Sequence, residues 1–426
     1  MSDSQGLNVV AFRSRGGTPP PLRIGPYVQA LQAAAYQDAP WLLRQLDPDN
    51  AVIFTRDLKA AYQGHGMDFD LATEVLLNPD DDFPMAKTSP SELQDPFAYG
   101  AMRQLWIEAD QLSAHRGDRL TRQPLLGTLP TGLINARAVR LSSNGETAIL
   151  FDDEIRVLAY MLAKVVASVV TLPGDGDLSF VDMNINRVDD PERHAPQAVK
   201  WFAAMIDSYI RDGWIRILPV WVLPPEANRL ALTLCHGFEM FVMGHEYGHL
   251  ARNHHEGATH EIVREAEGLN EDQLRRSQEI EADAFGLRTA CDAAIGECGG
   301  PIPGFWGAYL CAKAFELIDR ALYCAAKRGD WKPWQSQVLQ WLNRQSSHPP
   351  AATRATMLVE MMSQGPFRAE AHEFSQAMDR LFDNLFPAAA ALLTSQASVN
   401  KGFHSRFRDR AATFMLSAPG PDPLAL

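Results

Sequence analysis

Residues 238–257 read FEMFVMGHEYGHLARNHHEG. Phe238, Phe241 and Val242, with Leu234 a turn earlier, recur at helical spacing and predict a buried helix from about Glu226, just after Pro224-Pro225, to about Asn253. Within it, His245-Glu246-Tyr247-Gly248-His249 fits the pattern HExxH. Residues four apart share one helix face, so the two imidazoles can hold one zinc ion, with Zn–N distances of about 2.0–2.1 Å. Glu246 lies on the flank of that face, from which a carboxylate reaches a metal-activated water without occupying the ion. A surface helix with two incidental histidines is the bland alternative. The apolar run argues against it, because two histidines and a glutamate on a buried helix need partners, and a metal supplies them.

A third protein ligand is then required, and the chain offers two routes. The spacing HExxHxxGxxH puts His255 in the last position, but Arg252 stands where that pattern has a glycine to turn the chain back. Alternatively, residues 277–287 read SQEIEADAFGL, and Glu279 and Asp283 are four apart on one face of a later helix. Glu279 could ligate while Asp283 accepts a hydrogen bond from a ligand histidine and fixes its tautomer. The bland reading is a solvated acidic face, since Glu281 stands between them.

Together, HEYGH and the following EIEADAFG resemble the gluzincin metallopeptidases, and within them the M48-like group. That resemblance implies zinc held by His245, His249 and Glu279, with Glu246 as catalytic base. Leu133-Ile134-Asn135-Ala136 resembles the group's strand beside the cleft, which implies substrate binding at Asn135 and Ala136. Ser347-His348-Pro349-Pro350, with Arg354 six residues after the histidine, resembles its His-Pro segment. It implies oxyanion stabilisation by His348 and a substrate contact by Arg354; the bland readings are a helix-start residue and a partner for a carboxylate. The four pieces span about 133–354. The segment between hairpin and motif (about 152–243) is longer than the group's pattern, and the first 130 residues resemble nothing nameable.

Working outward, Asn144-Gly145 between Ala138–Leu141 and Thr147–Phe151 signals a hairpin. Asp152 or Asp153 can cap a helix running to about Thr171. Asn270 and Gln273, at capping-box spacing, open the helix carrying Glu279. Further helices are expected over about 305–327 and 349–364. The expected architecture is mainly α with a small β-sheet (α+β): a flexible tail over 1–25, a helical region over 26–130, the metallopeptidase domain over 131–365, and a helical C-terminal region with a loose tail over 366–426.

The chain has 426 residues, 46% of them apolar, enough for a large core. Its formal net charge of −13 disfavours nucleic acid and anionic membrane as partners. The apolar run Val157–Leu172 is 16 residues long and carries Lys164, which reads as a buried helix rather than a membrane span. The polar start predicts no secretory signal, and five cysteines without a CxxC pair predict reduced thiols in a cytoplasmic protein. His254, His255 and His260 are read as solvated helix-end histidines. The expected function is zinc-dependent endopeptidase action on a peptide or protein substrate, with one zinc per chain. A metal-binding regulatory protein without turnover and a triggered stress or defence peptidase are the alternatives.

Overall fold

The computed structural model describes residues 23–38, 96–141, 144–171, 185–213, 221–254, 271–326 and 349–395, together with Leu93 and Ile215. Among these it is mostly helical, with one three-stranded sheet of order β1-β3-β2: β1 (Leu125–Leu129), β2 (Ala136–Arg140) and β3 (Thr147–Asp152). β2 and β3 form the expected antiparallel hairpin, pairing Ala136 with Phe151 and Arg140 with Thr147. Gly145 takes a positive φ of 69° at its turn, and the Asn144 side chain accepts from the Glu146 amide at 3.0 Å. β1 runs parallel to β3. The sheet therefore straddles residue 131, where the catalytic domain was expected to start.

Both faces of the sheet are covered. Helix α1 (Ile24–Asp38) lays Tyr27, Val28 and Leu31 on Leu129, Ala148 and Leu150, while Leu126, Ile149 and Phe151 face the main core. Alternate residues of β3 thus bury to opposite sides, which is why TAILF is a continuous apolar run. The main core also takes in α2 (Pro96–Arg116) and α3 (Asp153–Val170). Asp152 sits at the N-cap position of α3 but does not cap it; its carboxylate accepts from the Thr131 hydroxyl instead. Lys164 is buried on α3 and donates to the Trp221 carbonyl at 2.6 Å. No helix among the described residues is long and apolar enough to cross a membrane.

Among its described residues, the long stretch between hairpin and motif holds α3, a short α4 (Pro191–His194) and α5 (Pro196–Asp212), which packs on α3. At the centre runs α6 (Pro225–Ala251), flanked by α7 (Glu271–Cys298) and α8 (Ile302–Ala326). Asn270, the expected cap of α7, lies outside the described residues. α9 (Ala351–Ser363) and α10 (Arg368–Ser395) close over α8 and join the same core. Trp306, Tyr309 and Leu310 of α8 are buried in this core. All five cysteines are free thiols, although Cys235 and Cys298 are only half-buried.

Glycine sets how closely the central helices approach. A Cβ on Gly286 of α7 would stand 2.6 Å from the Phe241 carbonyl oxygen and 3.1 Å from the His245 nitrogen, both backbone atoms of α6. A Cβ on Gly244 would stand 2.7 Å from that of Thr289. The two backbones are therefore nearly in contact where the motif lies. Gly286→Ala is expected to part them and to destabilise the fold by about 1–3 kcal/mol, since backbone cannot move aside as a flexible side chain can. The better helix propensity of alanine, about 1 kcal/mol, recovers only part of that. Urea denaturation is the check; a variant as stable as the parent contradicts the close approach.

Candidate metal centre

His245 and His249 project from one face of α6, and Glu279 comes from α7 across the glycine-lined crossing. All three are buried, each less than 10% exposed. Their potential donor atoms converge. His245 Nε2 and His249 Nε2 are 3.1 Å apart, and the two Glu279 carboxylate oxygens lie 3.5 Å from one nitrogen each. Ligands at 2.0–2.1 Å around a tetrahedral ion stand about 3.3–3.4 Å from one another. The observed separations bracket that spacing, so this buried group can hold a metal ion.

Donor chemistry points the same way. His245 Nδ1 lies 2.9 Å from Asp283 Oδ1. Asp283 is buried, and Arg354 grips it with two nitrogens, Nε donating to Oδ2 at 2.8 Å and Nη2 to Oδ1. Burial opposes the charge on Asp283, yet Arg354 and His245 hold its pKa down to about 2. An ionised carboxylate only accepts, so His245 Nδ1 donates, and neutral His245 then turns a lone pair at Nε2 toward His249. A metal ion, or a proton shared with His249 Nε2, satisfies that lone pair. Burial likewise opposes charge on His245, but Asp283 and Glu279 raise its pKa to about 10; in the metal-free chain a proton supplies the positive charge.

Glu246 is buried beside this group. Burial pushes its carboxyl upward, and the charge of His245 works against that shift. The backbone amide of Ala138 donates to it, which ties Glu246 to β2, an edge strand of the sheet. Tyr247, inside the motif, points the other way: its hydroxyl donates to Asp110 at 3.0 Å and accepts from the Leu120 amide at 2.9 Å. These bonds fix the rotation of α6 about its axis by tying it to α2 and the segment that follows.

The structure thus brings together His245, Glu246, His249, Glu279, Asp283 and Arg354. Ala136 begins the edge strand, and the carbonyl of Asn135 just before it accepts from the Asp152 amide at 2.9 Å. The Arg354 guanidinium is engaged with Asp283, its reading as a carboxylate partner. His348, His255 and His260 lie outside the described residues. His254 does not: it is 7% exposed, against the expectation of a solvated helix-end residue. Its Nδ1 lies 2.9 Å from His249 Nδ1 and its Nε2 3.1 Å from Glu281 Oε2. Asn253, at φ 55°, turns the chain so that His254 folds back on the last turn of α6. The Asn one residue beyond the C-cap Arg252, a residue type that tolerates this conformation, was the available signal.

A second His–carboxylate group differs in kind. His236 meets Glu108 through Nε2 at 3.1 Å and Glu297 through Nδ1 at 3.0 Å. Burial opposes its charge, but the two carboxylates raise its pKa to about 10. The donor atoms of these three residues also lie within 4.8 Å of one another, but the group is only half-buried, Glu297 is exposed, and its carboxylates meet the two opposite nitrogens of one ring, tying α2, α6 and α7. No protein-family description, no curated protein and no solved structure matches the chain.

Proposed function

We propose that the chain is a zinc-dependent endopeptidase of the gluzincin kind, with His245, His249 and Glu279 as the residues that would hold zinc. The observation that carries this reading is the convergence of the two imidazole nitrogens, 3.1 Å apart, with the Glu279 carboxylate, whose oxygens lie 3.5 Å from one nitrogen each, and with buried Glu246 adjoining them. Two imidazoles and a carboxylate suit zinc, and three protein ligands leave a position for reactants. Zinc, when bound, supplies Lewis acidity that polarises the scissile carbonyl and makes water more acidic.

Glu246 would take the proton from the attacking water and return it to the leaving amine. Burial raises its pKa above the ordinary carboxylate value, which makes it a stronger base. An extended peptide would add to the edge strand β2, whose main chain offers hydrogen bonds. Asp283, backed by Arg354, orients His245. A role for His348 at the oxyanion rests on the sequence resemblance alone. A purely structural metal site has no use for a buried base beside it, which favours turnover over a regulatory role.

Purified protein is expected to carry about one zinc per chain and to cleave a protein substrate, with cleavage lost to a chelator and restored by zinc. Elemental analysis that finds no transition metal, even after reconstitution, ends this reading. Bound metal without cleavage of any peptide substrate leaves a metal-binding protein that is not a peptidase.

A further inference from the structure

We infer that His254 and Glu281 form a relay that fixes the tautomer and orientation of His249, an inference that rests on the metal reading above. The polarity of each hydrogen bond follows from the one before. If His249 ligates through Nε2, its single proton sits on Nδ1. That atom is 2.9 Å from His254 Nδ1, which must therefore accept. The His254 proton then sits on Nε2, and Nε2 is 3.1 Å from Glu281 Oε2, an acceptor. The three groups agree in one direction, from the ligand nitrogen outward to a carboxylate.

Each ligand histidine is thus backed by a carboxylate, but by different means. His245 reaches Asp283 directly, in a buried setting closed by Arg354. His249 reaches Glu281 through a second imidazole, and the Glu281 side chain is 53% exposed. Neighbouring contacts fix the turn that carries His254 and the carboxylate it meets. The His254 amide donates to the His249 carbonyl at 3.0 Å, Arg140 donates to the Asn253 side chain at 3.3 Å, and Arg252 lies 3.4 Å from the other Glu281 oxygen. Glu281 stands between Glu279 and Asp283 in sequence, so one helical stretch provides a ligand and the carboxylate ends of both supports. His254 is a positioning residue: it acts through His249 and touches no reacting atom.

The test is zinc affinity by competition with a chromophoric chelator, together with the visible absorption spectrum of the cobalt-substituted protein. H254A is expected to bind zinc about 10–100-fold more weakly and to shift the cobalt bands, since ligand orientation changes. H254Q, whose carboxamide oxygen can accept from His249 Nδ1, is expected to recover most of the affinity. E281A is expected to show a smaller loss in the same direction. H254A with affinity within about threefold of the parent and unchanged cobalt bands overturns the relay. Equal losses in H254A and H254Q overturn it too, because packing rather than a hydrogen bond would then be at stake. Should H254A fail to fold, H254Q and E281A decide: near-parental H254Q with weakened E281A supports the relay, and any other pattern overturns it. A parent chain that takes up neither zinc nor cobalt removes the metal reading and the relay together. A parent that binds zinc without cleaving peptides removes only the peptidase reading.

Discussion

Glu246→Gln is expected to abolish peptide hydrolysis while leaving one metal ion bound per chain. The amide has the shape of the carboxylate and keeps an oxygen able to accept from the Ala138 amide. What it lacks is basicity, and positioned acid–base catalysis contributes about 10²–10⁴-fold. The loss should fall in kcat rather than in KM, because the missing interaction belongs to the transition state. Hydrolysis within about threefold of the parent, far inside that range, shows that another group takes the proton. Metal content measured on the same sample separates a lost base from a lost ion.

Asp283→Ala is expected to affect stability more than any other single change near the centre. It removes the acceptor of His245 and strands the Arg354 guanidinium. Breaking a buried ion pair from one side costs about 3–5 kcal/mol, because an uncompensated charge is left inside. Metal affinity should fall about 10–100-fold in addition, through the freed His245 ring. Removing both charges, as in D283A combined with R354M, should restore much of the stability but not the affinity. The pH dependence has a definite sign. Asp283 is held at about 2, below its ordinary 3.8. Its contribution is therefore present above about pH 4 and lost as pH falls through 2. Urea denaturation across that range should show parent and variant converging toward low pH; a constant gap contradicts the ionised pair.

Much of the centre was legible because its chemistry is local in sequence. Four-residue spacing put His245 with His249 and Glu279 with Asp283; hydrophobic periodicity put the first pair on a helix, and capping-box spacing at Asn270 and Gln273 put the second on another. The hairpin was legible from Asn144-Gly145, whose backbone needs are specific. What escaped depended on distant partners. The parallel pairing of β1 with β3 leaves no local mark, since Leu125–Leu129 is a short apolar run of ambiguous period. The cap expected from Asp152 failed because Thr131, 21 residues earlier, competes for its carboxylate. The burial of His254 follows from a turn at Asn253 and an acceptor on another helix. Gly244 and Gly248, four apart, were a readable stripe of small residues; their meaning needed Gly286 opposite.

The near-contact of α6 and α7 constrains how the protein can come apart. With backbone against backbone, the ligand helix has no side-chain layer that could yield while the rest stays folded. Parting the two helices therefore means undoing the main core. The backbone amides of the two helices should then exchange with solvent as one unit, at the rate at which the whole core opens.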